Sequence, residues 1–150
     1  MRDIAAELES FIDDCNPKLH LLQEEELVEK SIPGKWSKKE LIGHLIDSAQ
    51  NNIRRFIMAQ YEENPIIIYN QDKWVNINNY QKADATDLIN LWYLLNKQAA
   101  NVLKITSDEV SHATCQTENL HTIEWLAKDY IKHLRHHIHQ VLDLEPVAYP

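Results

Sequence analysis

The sequence predicts an all-α protein of four helices folded as a single domain over residues 1–150, and three observations predict it. Only two glycines occur in 150 residues, where an average chain spends about 7% of its length on glycine for turns and bulges. Apolar residues recur at three- and four-residue steps through four long stretches, which is the spacing of a buried helix face. A capping residue or a breaker bounds these stretches. At this length, one core burying about 68–70% of the unfolded chain's surface is expected.

The first stretch, from about Asp3 to Glu26, carries Ile4, Leu8, Phe11, Ile12, Cys15, Leu19 and Leu22 on one stripe. Pro17 removes a backbone bond and crowds the preceding turn, so the stretch either kinks near Asp14 or divides into two shorter helices. The linker from Glu29 to Trp36 contains Ser31-Ile32-Pro33-Gly34 and breaks the pattern. Ser37-Lys38-Lys39-Glu40 then reads as a capping box, in which hydroxyl and carboxylate each satisfy an unpaired backbone N–H. The second helix starts there and runs to about Tyr61, before Pro65 stops it. Its inner face holds Leu41, Leu45, Ala49, Ile53, Phe56 and Ile57, interrupted by His44, Ser48 and Asn52.

From Glu62 to Ala85 no helical period survives, and the segment reads as a crossover with a short helical turn around Asp72 to Val75. Structureless loops of this length in a compact domain are usually functional. The third helix is expected from Thr86, as N-cap, through Leu88, Leu91, Trp92, Leu95, Ala99, Val102 and Leu103. The fourth starts near Thr122 and continues past Val141, with Ile123, Leu126, Tyr130, His133 or Leu134, His137 and Val141 inward. The tail from Glu145 to Pro150 cannot continue it.

Composition excludes several classes of function. Acidic residues outnumber basic ones 23 to 15, a formal charge of −8, and no stretch gathers Lys or Arg into a stripe that tracks phosphates, so nucleic acid is not an expected partner. Neither glycine pattern that cradles phosphates can be written with two glycines. Cys15 and Cys115 are too few and too far apart for a disulfide-stapled domain, and both read as reduced thiols. No 18-residue apolar run and no apolar leader after Met1 occur, so the chain is expected in the cytoplasm with no membrane span.

Four of the eight histidines crowd into Lys132-His133-Leu134-Arg135-His136-His137-Ile138-His139-Gln140. On a helix, residues i and i+4 are about 40° apart in direction and about 6 Å apart in rise, so His133 and His137 project side by side. His44 interrupts a core-facing stripe and is the candidate third ligand. Burying unpaired imidazoles costs free energy, and one divalent ion satisfies three at once. Three neutral nitrogens suit Zn²⁺, Ni²⁺ or Fe²⁺ and leave a position for water or substrate. The blander alternative is that an i,i+4 pair lies on a solvated face and that His44 bonds a carbonyl. His136 and His139 point away from the pair and read as solvated; His20, His112 and His121 stand in no constellation.

Trp36-Ser37-Lys38-Lys39-Glu40-Leu41-Ile42-Gly43-His44-Leu45-Ile46-Asp47-Ser48-Ala49 resembles the second-helix signature of the DinB-like (DinB/YfiT) superfamily, and His133 to Gln140 resembles its C-terminal H-x-x-x-H segment with a trailing Gln. The resemblance implies a four-helix bundle of up-down-down-up connectivity, with the crossover between helices two and three, and His44, His133 and His137 as metal ligands. It also implies a homodimer and a small-molecule substrate. Relatives that use bacillithiol or mycothiol imply a metal-dependent transferase joining a low-molecular-weight thiol to small electrophiles. In that reading Asp72 and Trp74 line the mouth of the site, and Asp129, one turn before His133, orients its ring. The crossover departs from the family's Tyr-Asp-Glu then Trp pattern, reading Tyr69-Asn70-Gln71-Asp72-Lys73-Trp74. The competing expectation is a non-catalytic metal- or ligand-binding dimer of the stress response. Large apolar residues beyond the needs of one core, among them Trp92, Tyr93 and Trp125, also point to a dimer.

Overall fold

A computed structural model describes residues 1–30 and 32–149. Ser31 of the expected linker and Pro150 of the tail lie outside the described residues. Six helices occur among them: α1 (Arg2–Leu19), α2 (Glu24–Val28), α3 (Lys38–Met58), α4 (Gln71–Asn78), α5 (Ala85–Ile105) and α6 (Ile123–Val141). Two 3₁₀ turns, Tyr80–Lys82 and Val110–His112, and a hairpin of β1 (Thr114–Gln116) and β2 (Leu120–Thr122) complete them.

The four long helices, α1, α3, α5 and α6, form the four-helix bundle, and side-chain bonds between them give its directions. Glu9 and Asp13 of α1 meet Lys104 and Lys97 of α5, which runs antiparallel to it. Gln60, just past the end of α3, bonds Thr106, just past the end of α5, so these two helices run the same way. Phe56 of α3 packs edge-on against Tyr130 of α6, while His44 meets His133, so α6 runs opposite to α3. The result is the expected up-down-down-up order. The core contains Leu8, Ile12, Leu45, Phe56, Trp92 and Leu134, all fully buried. Tyr130 crosses it to hydrogen-bond Asn96 at 2.6 Å.

Local chemistry explains where the helices start. Glu40 accepts from the Ser37 backbone N–H at 2.8 Å and the Ser37 hydroxyl accepts from the Glu40 N–H at 3.2 Å, the expected box. Thr122 caps α6 by accepting from Trp125 N at 3.1 Å. Asp84, not Thr86, caps α5: its carboxylate accepts from Asp87 N at 3.0 Å, and a charged acceptor at a helix start is favoured by the macrodipole. Pro17 sits inside the last turn of α1, and the chain divides into two helices, α1 and α2, with the break after Leu19.

The crossover holds more structure than its sequence suggests. The expected turn from Asp72 to Val75 is a two-turn helix, α4, capped by Asn70 and ended by Asn79 in the left-handed region at φ 50°. The 3₁₀ turn that follows seats Tyr80 against α3 at Gly43, where a Cβ would lie 2.0 Å from the Tyr80 ring. Tyr80 donates to the Asp47 carboxylate at 2.5 Å, and Asn78 donates to the same oxygen at 3.2 Å. At the far end of the crossover's first strand-like segment, Ile67 N bonds Gln116 O and Gln116 N bonds Pro65 O, so residues 65–67 extend the hairpin.

Trp92 is fully buried in the core and so does not count as surplus apolar surface; Tyr93 is half-buried and donates to Asp13, and Trp125 is 46% exposed. Among the described residues no helix is long and apolar enough to cross a membrane.

Candidate metal centre

The antiparallel pairing of α3 and α6 brings the start of one helix against the end of the other, and the three histidines meet there. His44, His133 and His137 each offer a ring nitrogen, and these atoms lie within 4.8 Å of one another. His44 Nε2 and His133 Nε2 are 3.0 Å apart. The rings stand edge to face, with centroids 4.6 to 5.0 Å apart. Trp36 covers the other side of His44, at 4.9 Å.

Their surroundings keep all three imidazoles neutral. Burial, and after it the neighbouring His137 ring, where a second proton would be repelled, pushes His44 down to about 3. Burial and then the three neighbouring imidazoles of His44, His137 and His136 hold His133 well below the ordinary histidine range. Burial also lowers His137, against the opposing effect of the hydrogen bond it donates to Gln140. A neutral imidazole has one bare nitrogen, so at pH 7 the cluster presents lone pairs and not charges.

Gln140, one turn further along α6, decides which nitrogens are bare. His137 Nδ1–H donates to its Oε1 at 2.9 Å, which leaves His137 Nε2 unprotonated. The Gln140 amide donates in turn to His136 Nε2 at 2.9 Å, and His136 Nδ1–H donates to Val147 O at 2.6 Å. His139 Nδ1–H donates to Glu145 O at 2.7 Å. His136 and His139 are therefore not free in solvent as expected: both are half-buried, and they fasten the C-terminal tail across the end of α6.

A cavity of about 740 Å³ opens beside the triad. His133 and His137 reach its wall; His44 stands behind them, 1% exposed. Asp72 lines it and Trp74 does not: Trp74 packs against the Tyr69 ring, at 5.4 Å between ring centroids. Asp129 lines the cavity without bonding His133. Its carboxylate accepts from the Tyr149 hydroxyl at 2.9 Å, and the Tyr149 ring rests 5.3 Å from His133. The Asp129 carboxylate therefore meets His133 only by way of the Tyr149 ring, not by a direct bond.

Several residues of this region were not singled out from the sequence. Tyr149 comes from the tail, His121 from β2, where its ring stacks flat on Trp125 at 3.6 Å, and Arg55 from α3. Asp47, one turn past His44, is fully buried, and burial pushes its carboxyl up to about 6 against the Tyr80 bond. Only Arg55, three residues after the polar interruption at Asn52, extends a pattern visible along α3.

Three neutral imidazoles converging beside a polar cavity, on a bundle of this connectivity, define a class of helical-bundle proteins. The chain belongs to the DinB superfamily, whose family model matches residues 7–141. Among curated relatives it is similar to YfiT from Bacillus subtilis (strain 168), with 26% identity over 115 residues, 74% of this chain and 65% of the relative. The chain thus matches a little under two thirds of that protein's length. The solved structure of YfiT, described as a probable metal-dependent hydrolase with an unusual four-helix bundle topology, superimposes with a TM-score of 0.80 at 22% identity, covering 93% of this chain and 84% of that one. A mycothiol-dependent maleylpyruvate isomerase superimposes with a TM-score of 0.72 at 17% identity, covering 99% of this chain and 62% of the isomerase. Both structural likenesses are likenesses of fold.

Proposed function

We propose that His44, His133 and His137 hold one divalent metal ion and that the cavity beside them joins a low-molecular-weight thiol to a small electrophile. The donor set supports the fit. His44 Nδ1 is buried without a hydrogen-bond partner among the described residues, and two Nε2 atoms face each other at 3.0 Å. If neither Nε2 carries a proton the two lone pairs repel; a cation between the rings turns the repulsion into two bonds. Three protein nitrogens leave a coordination position free, as catalytic sites do and closed structural sites do not. Zinc, nickel and ferrous iron all accept such a set.

When bound, the ion supplies Lewis acidity, which lowers the pKa of a thiol or water at neutral pH. The chain's own residues do the rest. Gln140 fixes the tautomer of His137, and Trp36 covers His44 from solvent, keeping the site in a medium where electrostatic effects are strong. The Tyr149 ring leans against His133 and the Asp129 bond keeps it there. The polar cavity wall, formed in part by Ser48, Asn52, Asp72 and Tyr69, accommodates a small polar substrate.

The observation that carries this reading is the neutral triad, two of whose rings reach the wall of a substrate-sized cavity. Protein purified without an affinity tag, loaded with zinc, nickel or ferrous iron, is to be assayed with thiols such as cysteine and glutathione against electrophiles such as monochlorobimane. Metal-dependent, saturable conjugation is expected. Binding of one ion per chain with no conjugation under any metal favours instead the ligand-holding role, and absence of ion binding rejects both.

The family resemblance also leads us to propose a homodimer. Leu94 and Ile105 are 63% and 81% exposed, and Trp125 46%, apolar surface that a second copy would cover. Sedimentation at micromolar concentration is expected to give twice the monomer mass; a monomer alone would reject it.

A further inference from the structure

We propose that Arg55 is an anion subsite of the same cavity, where it takes the carboxylate of a small molecule whose other end lies at the histidine triad. The proposal rests on the reading of the triad above and names the chemistry of the ligand's far end.

A guanidinium stays charged at every physiological pH, and withdrawing it from water is costly unless an anion answers it. Arg55 is half-buried at the wall of the cavity, and burial draws its pKa down. Its hydrogen-bond partners are all neutral, and the Asp129 carboxylate acts on it only from beyond ion-pair distance. Nε and Nη2 donate to Ile67 O at 3.3 and 3.1 Å, Nη1 donates to Asn52 Oδ1 at 3.2 Å, and the Tyr69 ring lies 5.9 Å from the guanidinium carbon. Among the described residues it takes part in no ion pair. Asp129, on the same cavity, bonds the Tyr149 hydroxyl instead.

The arithmetic of donors leaves a site. A guanidinium has five N–H groups and three are occupied, so two remain, one on each terminal nitrogen. With Ile67 O on the Nε–Nη2 edge, the end-on edge between the two terminal nitrogens can take the two oxygens of a carboxylate when Asn52 Oδ1 holds the Nη1 hydrogen on the Cδ side. A phosphate dianion fits less well, because Asp72, Glu118 and Asp129 line the same cavity and repel a second negative charge more strongly than a first.

Placement on α3 connects this fork to the triad. His44, Ser48, Asn52 and Arg55 follow at steps of four, four and three residues, which is one face of a helix. The rise between the first and last is about 16 Å, and the Arg55 side chain leans back toward the start of α3. Ser48 and Asn52 line the polar wall between them. A flexible molecule several carbons long, with a thiol at one end and a carboxylate at the other, fits such a groove.

Arg55 also tethers the crossover through Ile67 O, and the test must separate the two roles. Tethering needs one neutral donor, which glutamine supplies; anion binding needs the charge. Full-length, zinc-loaded protein is titrated calorimetrically with 6-mercaptohexanoate and with 6-mercaptohexanol. Wild type is expected to bind the carboxylate at least tenfold more tightly, with the preference shrinking as salt is raised. Arg55→Gln is expected to abolish the preference while zinc stoichiometry and melting temperature stay unchanged, and Arg55→Lys to keep part of it. Equal affinity of wild type for the two probes, or an undiminished preference in Arg55→Gln, overturns the proposal. If Arg55→Gln does not fold, a wild-type preference that ignores salt overturns it equally. Metal-free protein titrated with hexanoate and hexanol, followed by amide chemical shifts, distinguishes the failures. A preference for hexanoate there keeps the subsite even if zinc does not bind the triad; no preference there or with zinc removes it.

Discussion

Each imidazole of the triad has one bare nitrogen and no substitute within reach, so His44→Ala, His133→Ala and His137→Ala are expected to lose the ion alike, read by metal content after gel filtration. His139, bonded only to the tail at Glu145, is the matched control and should keep one ion per chain when changed to alanine. Gln140→Leu lets His137 adopt either tautomer and is expected to weaken binding about 10–100-fold, the usual cost of losing an outer-shell partner. Retention of full affinity in Gln140→Leu would show that the ring is held by packing alone. Metal-free protein should also be acid-labile, because the imidazole pKa values are depressed by folding. A base whose folded pKa lies below its ordinary 6.5 contributes stability above 6.5, and loses it as pH falls from there toward about 3, where His44 takes its proton in the folded state. Urea midpoints that do not fall between pH 7 and pH 4, and that His44→Ala leaves unmoved, would contradict this.

Two elements meet at Gly43, where α3 and the crossover touch. Glycine inside a helix is worth about 1 kcal/mol less than alanine, so Gly43→Ala ought to stabilise an isolated α3. In the folded chain the new Cβ would stand 2.0 Å from the Tyr80 ring, displacing Tyr80 and its bond to the buried Asp47. A net loss of about 1–3 kcal/mol, the usual range for overpacking, is expected in urea unfolding, and a gain would show that the crossover moves freely. Asp47 gives the same contact a pH dependence of opposite sign to that of the histidines. Its folded pKa, about 6, lies above the ordinary 3.8, so its contribution is complete below 3.8 and lost as pH rises through 6. Asp47→Asn should therefore gain melting temperature over wild type at pH 8 and not at pH 4.

How much was legible beforehand follows from the range of the interactions. The Ser37–Glu40 box and the Thr122 cap span three residues and are written in the sequence. The triad was legible because helix geometry joins His133 to His137 and because His44 breaks an apolar stripe. Arg55 to Ile67, Asp47 to Tyr80 and Asp129 to Tyr149 span 12, 33 and 20 residues, and nothing local marks them. The hairpin escaped for the same reason: its strands are three residues each and are held by the distant backbone of Pro65 and Ile67.

At the scale of the molecule, the proposed ion joins only one corner of the bundle, and this gives its removal a signature. The triad links the first turns of α3 to the last turns of α6, whereas α1 and α5 are held to each other by Glu9, Asp13, Lys97 and Lys104. An ion that binds the folded state alone stabilises it by about 2.7 kcal/mol at one hundred times the dissociation constant. For a domain of about 150 residues, each kcal/mol moves the melting temperature by roughly 2–4 °C, so zinc should raise it by roughly 5–10 °C and a chelator should return it. The protection should be uneven as well. Amide exchange by local opening should slow at residues 38–48 and 130–141, where the ion pins both helices, and change little along α1, whose local openings do not break the proposed site. His44→Ala should melt like the chelated wild type and ignore zinc. Equal melting with and without zinc would mean that the ion does not bind these ligands. A zinc shift that survives His44→Ala would place the ion among other residues, such as His136 and His139, and remove the chemical role argued for the triad.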